Sequence, residues 1–152
     1  MPTMHFKQTM TATPEQFVAA LTDFGPGRSE IWDNTDDGYL KVHDVGKTEA
    51  DVTEGSGGIW ERLHYDWSDP SRVVLTTTDS NVWGGRSGWT YTFEHQPDGR
   101  TEVDAEVVRE GKNLKGHGLA LALSTGGRFL LEKRFADTVK AIDARSGDSR
   151  PS

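Results

Sequence analysis

From residue 40 to residue 107 apolar side chains recur at every second position, with no helical spacing between them. That period belongs to extended chain with one face buried and the other in water. Ile59, Leu63, Tyr65 and Trp67 share one face of their strand, and Val73, Leu75 and Thr77 share one face of the next. Trp89, Tyr91 and Phe93 alternate with threonines, and Val103, Ala105 and Val107 alternate with acids. Residues 40–47, 49–54, 59–67 and 72–82 therefore read as strands, followed by two more. Gly55-Ser56-Gly57-Gly58, Asp69-Pro70 and Pro97-Asp98-Gly99 turn the chain between neighbours. Connections this short give an antiparallel meander, and its apolar face needs a cover.

The flanks supply the cover. Residues 4–11 read as a first strand carrying Phe6 and Met10. Thr13-Pro14-Glu15-Gln16 opens a helix, with Thr13 as N-cap, Pro14 at the first helical position and Gln16 as capping-box partner. Phe17, Leu21 and Phe24 follow at helical spacing, Gly25-Pro26-Gly27 stops the element, and residues 28–34 suggest a second short helical piece presenting Ile31 and Trp32. Residues 114–145 have helical composition, with Leu131, Phe135, Val139 and Ile142 as an apolar stripe. The expected fold is α+β: a curved sheet of about seven strands wrapped around a long C-terminal helix. The 152-residue chain suits one domain over residues 1–145, with 146–152 as a disordered tail.

The formal charge of −7 argues against generic nucleic-acid binding. It is unevenly spread, at net −11 over residues 1–108 and net +4 over residues 109–145. A basic helix against an acidic body accounts for that asymmetry without a partner. There is no cysteine, which excludes disulfides and thiolate chemistry and makes a reducing cytoplasm the natural compartment. The opening MPTMHFKQTM lacks the pattern of a signal peptide, and no apolar run approaches the ~20 residues of a membrane span. Neither integral membrane association nor a cofactor is expected, and a monomer or homodimer is.

The element order resembles the helix-grip fold of the START-related, or SRPBCC, superfamily, which includes polyketide cyclase/dehydrase-like proteins. The resemblance covers residues 4–145. Its local features are Thr13-Pro14-Glu15-Gln16-Phe17 after an edge strand, Gly57-Gly58 before a strand, Asp69-Pro70-Ser71-Arg72-Val73, and Asp98-Gly99-Arg100-Thr101 in the last hairpin. None is a catalytic signature. The resemblance implies a cavity between sheet and C-terminal helix that takes a small hydrophobic molecule, lipid- or polyketide-like. It also implies that some members are enzymes and others interaction proteins of chaperone-like or toxin–antitoxin type.

If the apolar parity faces the helix, the polar residues on that parity point into the cavity. This selects Glu61, Asp79 and Arg109 as candidate acid, base or orienting groups, since a carboxyl in apolar surroundings tends towards a raised pKa. The competing reading pairs Glu61 with Arg109 or leaves them at an open sheet end. Ligand contacts are expected from Leu63, Tyr65, Leu75, Thr77, Trp89, Tyr91, Phe93 and Val107. Tracing the helical stripe backward adds Leu131, Arg128, Gly127, Ser124, Leu121 and the candidate base His117. Gly126-Gly127 would shift that phase if it breaks the helix, and would mark a cavity mouth or hinge. His117, between two glycines, also reads as a loop residue.

His64 and Asp66 lack a convergent third ligand, so no metal site is expected. Gly55-Ser56-Gly57-Gly58 opens a strand rather than a helix and is a turn, not a phosphate loop. Ser87 has no strand-turn-helix elbow around it. Three functions stay open: a carrier or sensor of a small apolar molecule, a cyclase/dehydrase-type enzyme, and an interaction module using the basic helix or an exposed Trp32, Trp60 or Trp83. The carrier requires Tyr65, Tyr91 and Phe93 to face the helix without filling the space beneath it.

Overall fold

The computed structural model describes residues 3–25, 28–32 and 36–148. Seven strands form one antiparallel sheet: β1 (Thr3–Met10), β2 (Lys41–Val45), β3 (Glu49–Ser56), β4 (Ile59–Asp69), β5 (Arg72–Ser80), β6 (Trp83–His95) and β7 (Thr101–Gly111). Their spatial order is β1-β7-β6-β5-β4-β3-β2, so the meander from β2 to β7 is closed at one edge by the N-terminal strand. Between β3 and β4, Gly57 and Gly58 have φ of 59° and 84°. A two-residue turn with positive φ at both positions matches the twist of the flanking strands, and glycine adopts it without a Cβ penalty.

Helix α1 (Pro14–Leu21) starts as its sequence dictates, with Thr13 accepting from the Gln16 backbone and the Gln16 side chain accepting from the Thr13 backbone. It ends at Leu21, capped by Thr22, and a 3-10 turn follows over Arg28–Glu30. Pro26, Gly27 and Asn34 of the expected stop and second helical piece lie outside the described residues.

The long helix is two helices. α2 (Leu114–Ser124) and α3 (Gly127–Asp148) are separated at Thr125-Gly126. The α3 stripe is as expected, with Phe135, Val139 and Ile142 buried and Leu131 half-buried. Each buried member contributes ~1.5–3 kcal/mol of apolar burial. Asp143 accepts from the Thr11 and Ala12 backbone at 3.1 and 2.9 Å, and Thr138 donates to the Ile31 carbonyl at 2.9 Å, fixing the C-terminal half of α3 over β1 and α1. The α3 backbone runs to Asp148, three residues into the segment read as a tail, and residues 149–152 lie outside the described residues. Phe17 is the centre of the aromatic core, with its ring 5.2 Å from Tyr91, 5.3 Å from Phe93 and 5.9 Å from Trp32.

Candidate functional site

The core fills one end of the space between sheet and helices and leaves the other end open. There, β3 to β7, Leu21 of α1, Leu119 and Leu123 of α2 and Leu131 and Arg134 of α3 enclose a half-open cavity of about 220 Å³. Trp32, Trp60, Trp83, Trp89, Tyr65 and Tyr91 are the aromatic part of its wall. The volume exceeds the ~150 Å³ that accommodates benzene in an apolar protein cavity.

Two buried ion pairs interrupt the apolar wall. Arg109 of β7 donates to both oxygens of Glu61 on β4, at 2.8 and 2.9 Å, and Thr77 of β5 donates to the same carboxylate at 2.8 Å. The Arg109 guanidinium is clamped between the rings of Trp83 and Trp89, 5.0 and 5.1 Å from their centroids. Burial works to raise the Glu61 carboxyl. The Arg109 charge and the hydrogen bonds from Arg109, Thr77 and Trp89 outweigh it and hold the group below its ordinary value. Glu61 is therefore a carboxylate at neutral pH, and of the two readings its sequence allows, the pairing with Arg109 is the one the structure has.

The second pair is Arg28 with Glu54, at 2.8 Å. Arg28 also donates to the Tyr65 hydroxyl at 3.0 Å and to the Asp23 carbonyl at 2.8 Å, and Tyr65 donates to Glu54. Burial, reinforced by the Glu54 charge, pushes the Tyr65 hydroxyl well above its usual value, so it stays a neutral donor. Burial would lower Arg28, but Tyr65 and Glu54 hold it above its ordinary value. Glu54 and Glu61 are direct cross-strand partners in the β3–β4 ladder. The cavity floor thus carries two adjacent carboxylates, each neutralised by an arginine from a distant part of the chain. Sequence reasoning missed Arg28 and Glu54. Glu54 shares the inward parity of Ala50 and Val52, which was a usable signal; Arg28 sits in a turn where no periodicity exists.

Of the residues expected at the site, Glu61, Leu63, Tyr65, Leu75, Trp89, Tyr91, Arg109 and Leu131 line the cavity. Thr77 is buried behind Glu61, Val107 is in the core, and Phe93 packs on Phe17 away from the cavity. Asp79 does not point inward. Leu63 pairs with Thr77 and Arg62 with Asp79, so Thr78 is an extra residue on β5. This bulge flips the alternation, turning Asp79 out towards Lys112 at 3.8 Å and burying Ser80.

The break at Thr125-Gly126 shifts the phase of α2, as a helix interruption must. Leu119 and Leu123 face the cavity, whereas His117, Leu121 and Ser124 line a second, more open pocket with Ala120, Glu110, Gly111 and Arg109, the last of which also lines the first cavity. His117 is helical rather than a loop residue, because Asn113 caps α2 ahead of it. Arg128 is exposed, with its guanidinium 5.9 Å from the Phe6 ring centroid. Gly127 abuts Ala122 and Leu123, Gly126 faces open space, and neither is among the residues that line the cavity. Trp32 and Trp83 are buried rather than exposed, and Trp60 is half-buried. The Ser87 hydroxyl spends its hydrogen bonds on the Gly84 and Glu110 backbones.

A seven-stranded antiparallel sheet closed over a long C-terminal helix is the helix-grip fold of START-related proteins, and this chain has it. Among solved structures, TTHA0849 from Thermus thermophilus matches 98% of this chain and 100% of its own at 15% identity, with a TM-score of 0.71. The ZhuI aromatase/cyclase from a Streptomyces species matches 96% of this chain and 93% of its own at 12% identity, with a TM-score of 0.66. A START superfamily protein from Mycobacterium smegmatis matches 92% of this chain and 98% of its own at 9% identity, with a TM-score of 0.63. No protein-family model matches the chain, and no curated protein matches its sequence. Among the described residues no helix is long and apolar enough to cross a membrane.

Proposed function

We propose that the protein binds a small, largely apolar molecule of one or two rings with a polar end, and does so in the cytoplasm. The cavity carries this reading: aromatic and leucine walls around two internally neutralised ion pairs, open on one side beneath α2 and α3. Apolar walls supply affinity and a few fixed polar groups supply orientation. Every carboxylate charge on the floor has a bonded cation, so a neutral ligand meets no unpaired charge there.

The ionised state of Glu61 favours binding over proton transfer. Arg109 occupies both oxygens of this carboxylate and Thr77 one of them, which suits an orienting role better than proton donation. Calorimetric titration with 2-naphthol, two fused rings and one hydroxyl, tests the proposal. A saturable heat with negative heat-capacity change is expected, lost in Leu131→Trp, which fills the cavity from α3. Absence of binding to the wild-type protein, or equal affinity in Leu131→Trp, sinks the reading.

A further inference from the structure

Helix α2 is apolar on both faces. Leu119 and Leu123 face the cavity, while Leu114 and Leu121 face out and are 92% and 66% exposed. The start of α3 adds Phe129 at 74% and Leu130 at 51% exposure. These four are most of the large exposed apolar side chains among the described residues; the other two, Val42 and Val45, are on β2. A surface helix normally turns its apolar stripe inward, so protruding leucine and phenylalanine within seventeen consecutive residues of α2 and α3 mark a surface meant to be covered.

Charge narrows the choice of cover. Between residues 112 and 134 there are five basic residues and one acid, Glu132, in a chain whose net charge is −7. Lys115, Arg128, Lys133 and Arg134 have no ion-pair partner among the described residues. We infer that α2 and the first turns of α3 dock on an anionic lipid bilayer surface. Unpaired cations beside protruding leucine and phenylalanine match anionic headgroups lying over acyl chains. The acidic remainder of the molecule, net −11 up to residue 108, is repelled by the same surface and orients the basic face towards it. Arg134 belongs to both surfaces, since it also lines the cavity. Docking in this orientation sets the cavity's helical roof against the bilayer, and it rests on the cavity reading only for what would be exchanged there.

Co-sedimentation of the full chain with vesicles tests the inference, using phosphatidylcholine alone and equal parts phosphatidylcholine and phosphatidylglycerol. Binding is expected to be at least about tenfold stronger to the anionic vesicles and to weaken with salt, as one basic residue near such a surface is worth about fivefold. Lys133→Glu should lower it about fivefold or more, and Phe129→Ser with Leu130→Ser about tenfold. The altered side chains are exposed, so circular dichroism should be unchanged; Leu114→Ser, the most exposed position, serves as a second apolar variant if the double variant misfolds. Equal sedimentation with both vesicle types, or variants that bind like wild type, overturns the inference. So does a wild-type dimer that the same substitutions make monomeric, which assigns the face to a second copy. Leu131→Trp should bind vesicles normally, so a failure of the cavity reading leaves this result standing.

Discussion

Arg109→Met separates the charge of the guanidinium from its bulk. Methionine keeps an unbranched, polarizable chain between Trp83 and Trp89 but leaves Glu61 with only the Thr77 and Trp89 hydrogen bonds. Removing one partner of a buried, bidentate pair strands the other charge, at a cost of about 3–5 kcal/mol at pH 7. Glu61→Gln alone strands Arg109 instead, whereas Arg109→Met with Glu61→Gln strands neither and should cost at most about 2 kcal/mol. The pH dependence carries the sign. In the wild-type protein Glu61 sits below its ordinary value of 4.5, so its contribution is full above that pH and is lost as acid reaches the folded value. In Arg109→Met burial, the largest influence on the group, is opposed only by the Thr77 and Trp89 hydrogen bonds and raises the carboxyl, so the destabilisation is full at pH 7 and shrinks as the pH falls towards 5. Urea unfolding followed by tryptophan fluorescence at the two pH values reads both effects. A cost below about 1 kcal/mol, additivity in the double variant, or a cost that does not change with pH would refute the argument.

Tyr65→Phe removes the hydroxyl shared by Arg28 and Glu54 and should cost about 1–3 kcal/mol in the same urea assay; a neutral result would show that the two groups do not depend on it. Gly116 of α2 and Gly126 just after it should divide sharply. A Cβ on Gly116 would run into the Val82 carbonyl and the Gly111 backbone, so Gly116→Ala should lose about 1–3 kcal/mol. Gly126 has open space around its Cβ position, so Gly126→Ala should be neutral or gain about 0.4–1 kcal/mol, read as a change in thermal midpoint.

Strands were legible because burial on one face writes itself into every second residue: Leu63, Tyr65, Leu75 and Tyr91 all face the helices. The same rule misplaced Asp79, since one inserted residue at Thr78 reverses everything after it and leaves no compositional mark. Extrapolating the α3 stripe backward put Leu121 and Ser124 in one cavity with Leu131; helical phase does not survive the interruption at Thr125-Gly126, and they line a second pocket with Arg109 instead. Half of the candidate site was hidden for another reason. Arg28 reaches Glu54 from a turn held by Trp32 and α1, a position that only tertiary packing defines.

The opposition of Glu54 and Glu61 across the β3–β4 ladder bears on the order of assembly. Like charges directly opposite each other destabilise an isolated strand pair, so this hairpin is a poor seed despite its well-formed turn. Its neutralising cations arrive from before β2 and from the last strand, so the β3–β4 pair gains its full stability only when both have been recruited. Cooperativity is thereby built into the cavity floor itself.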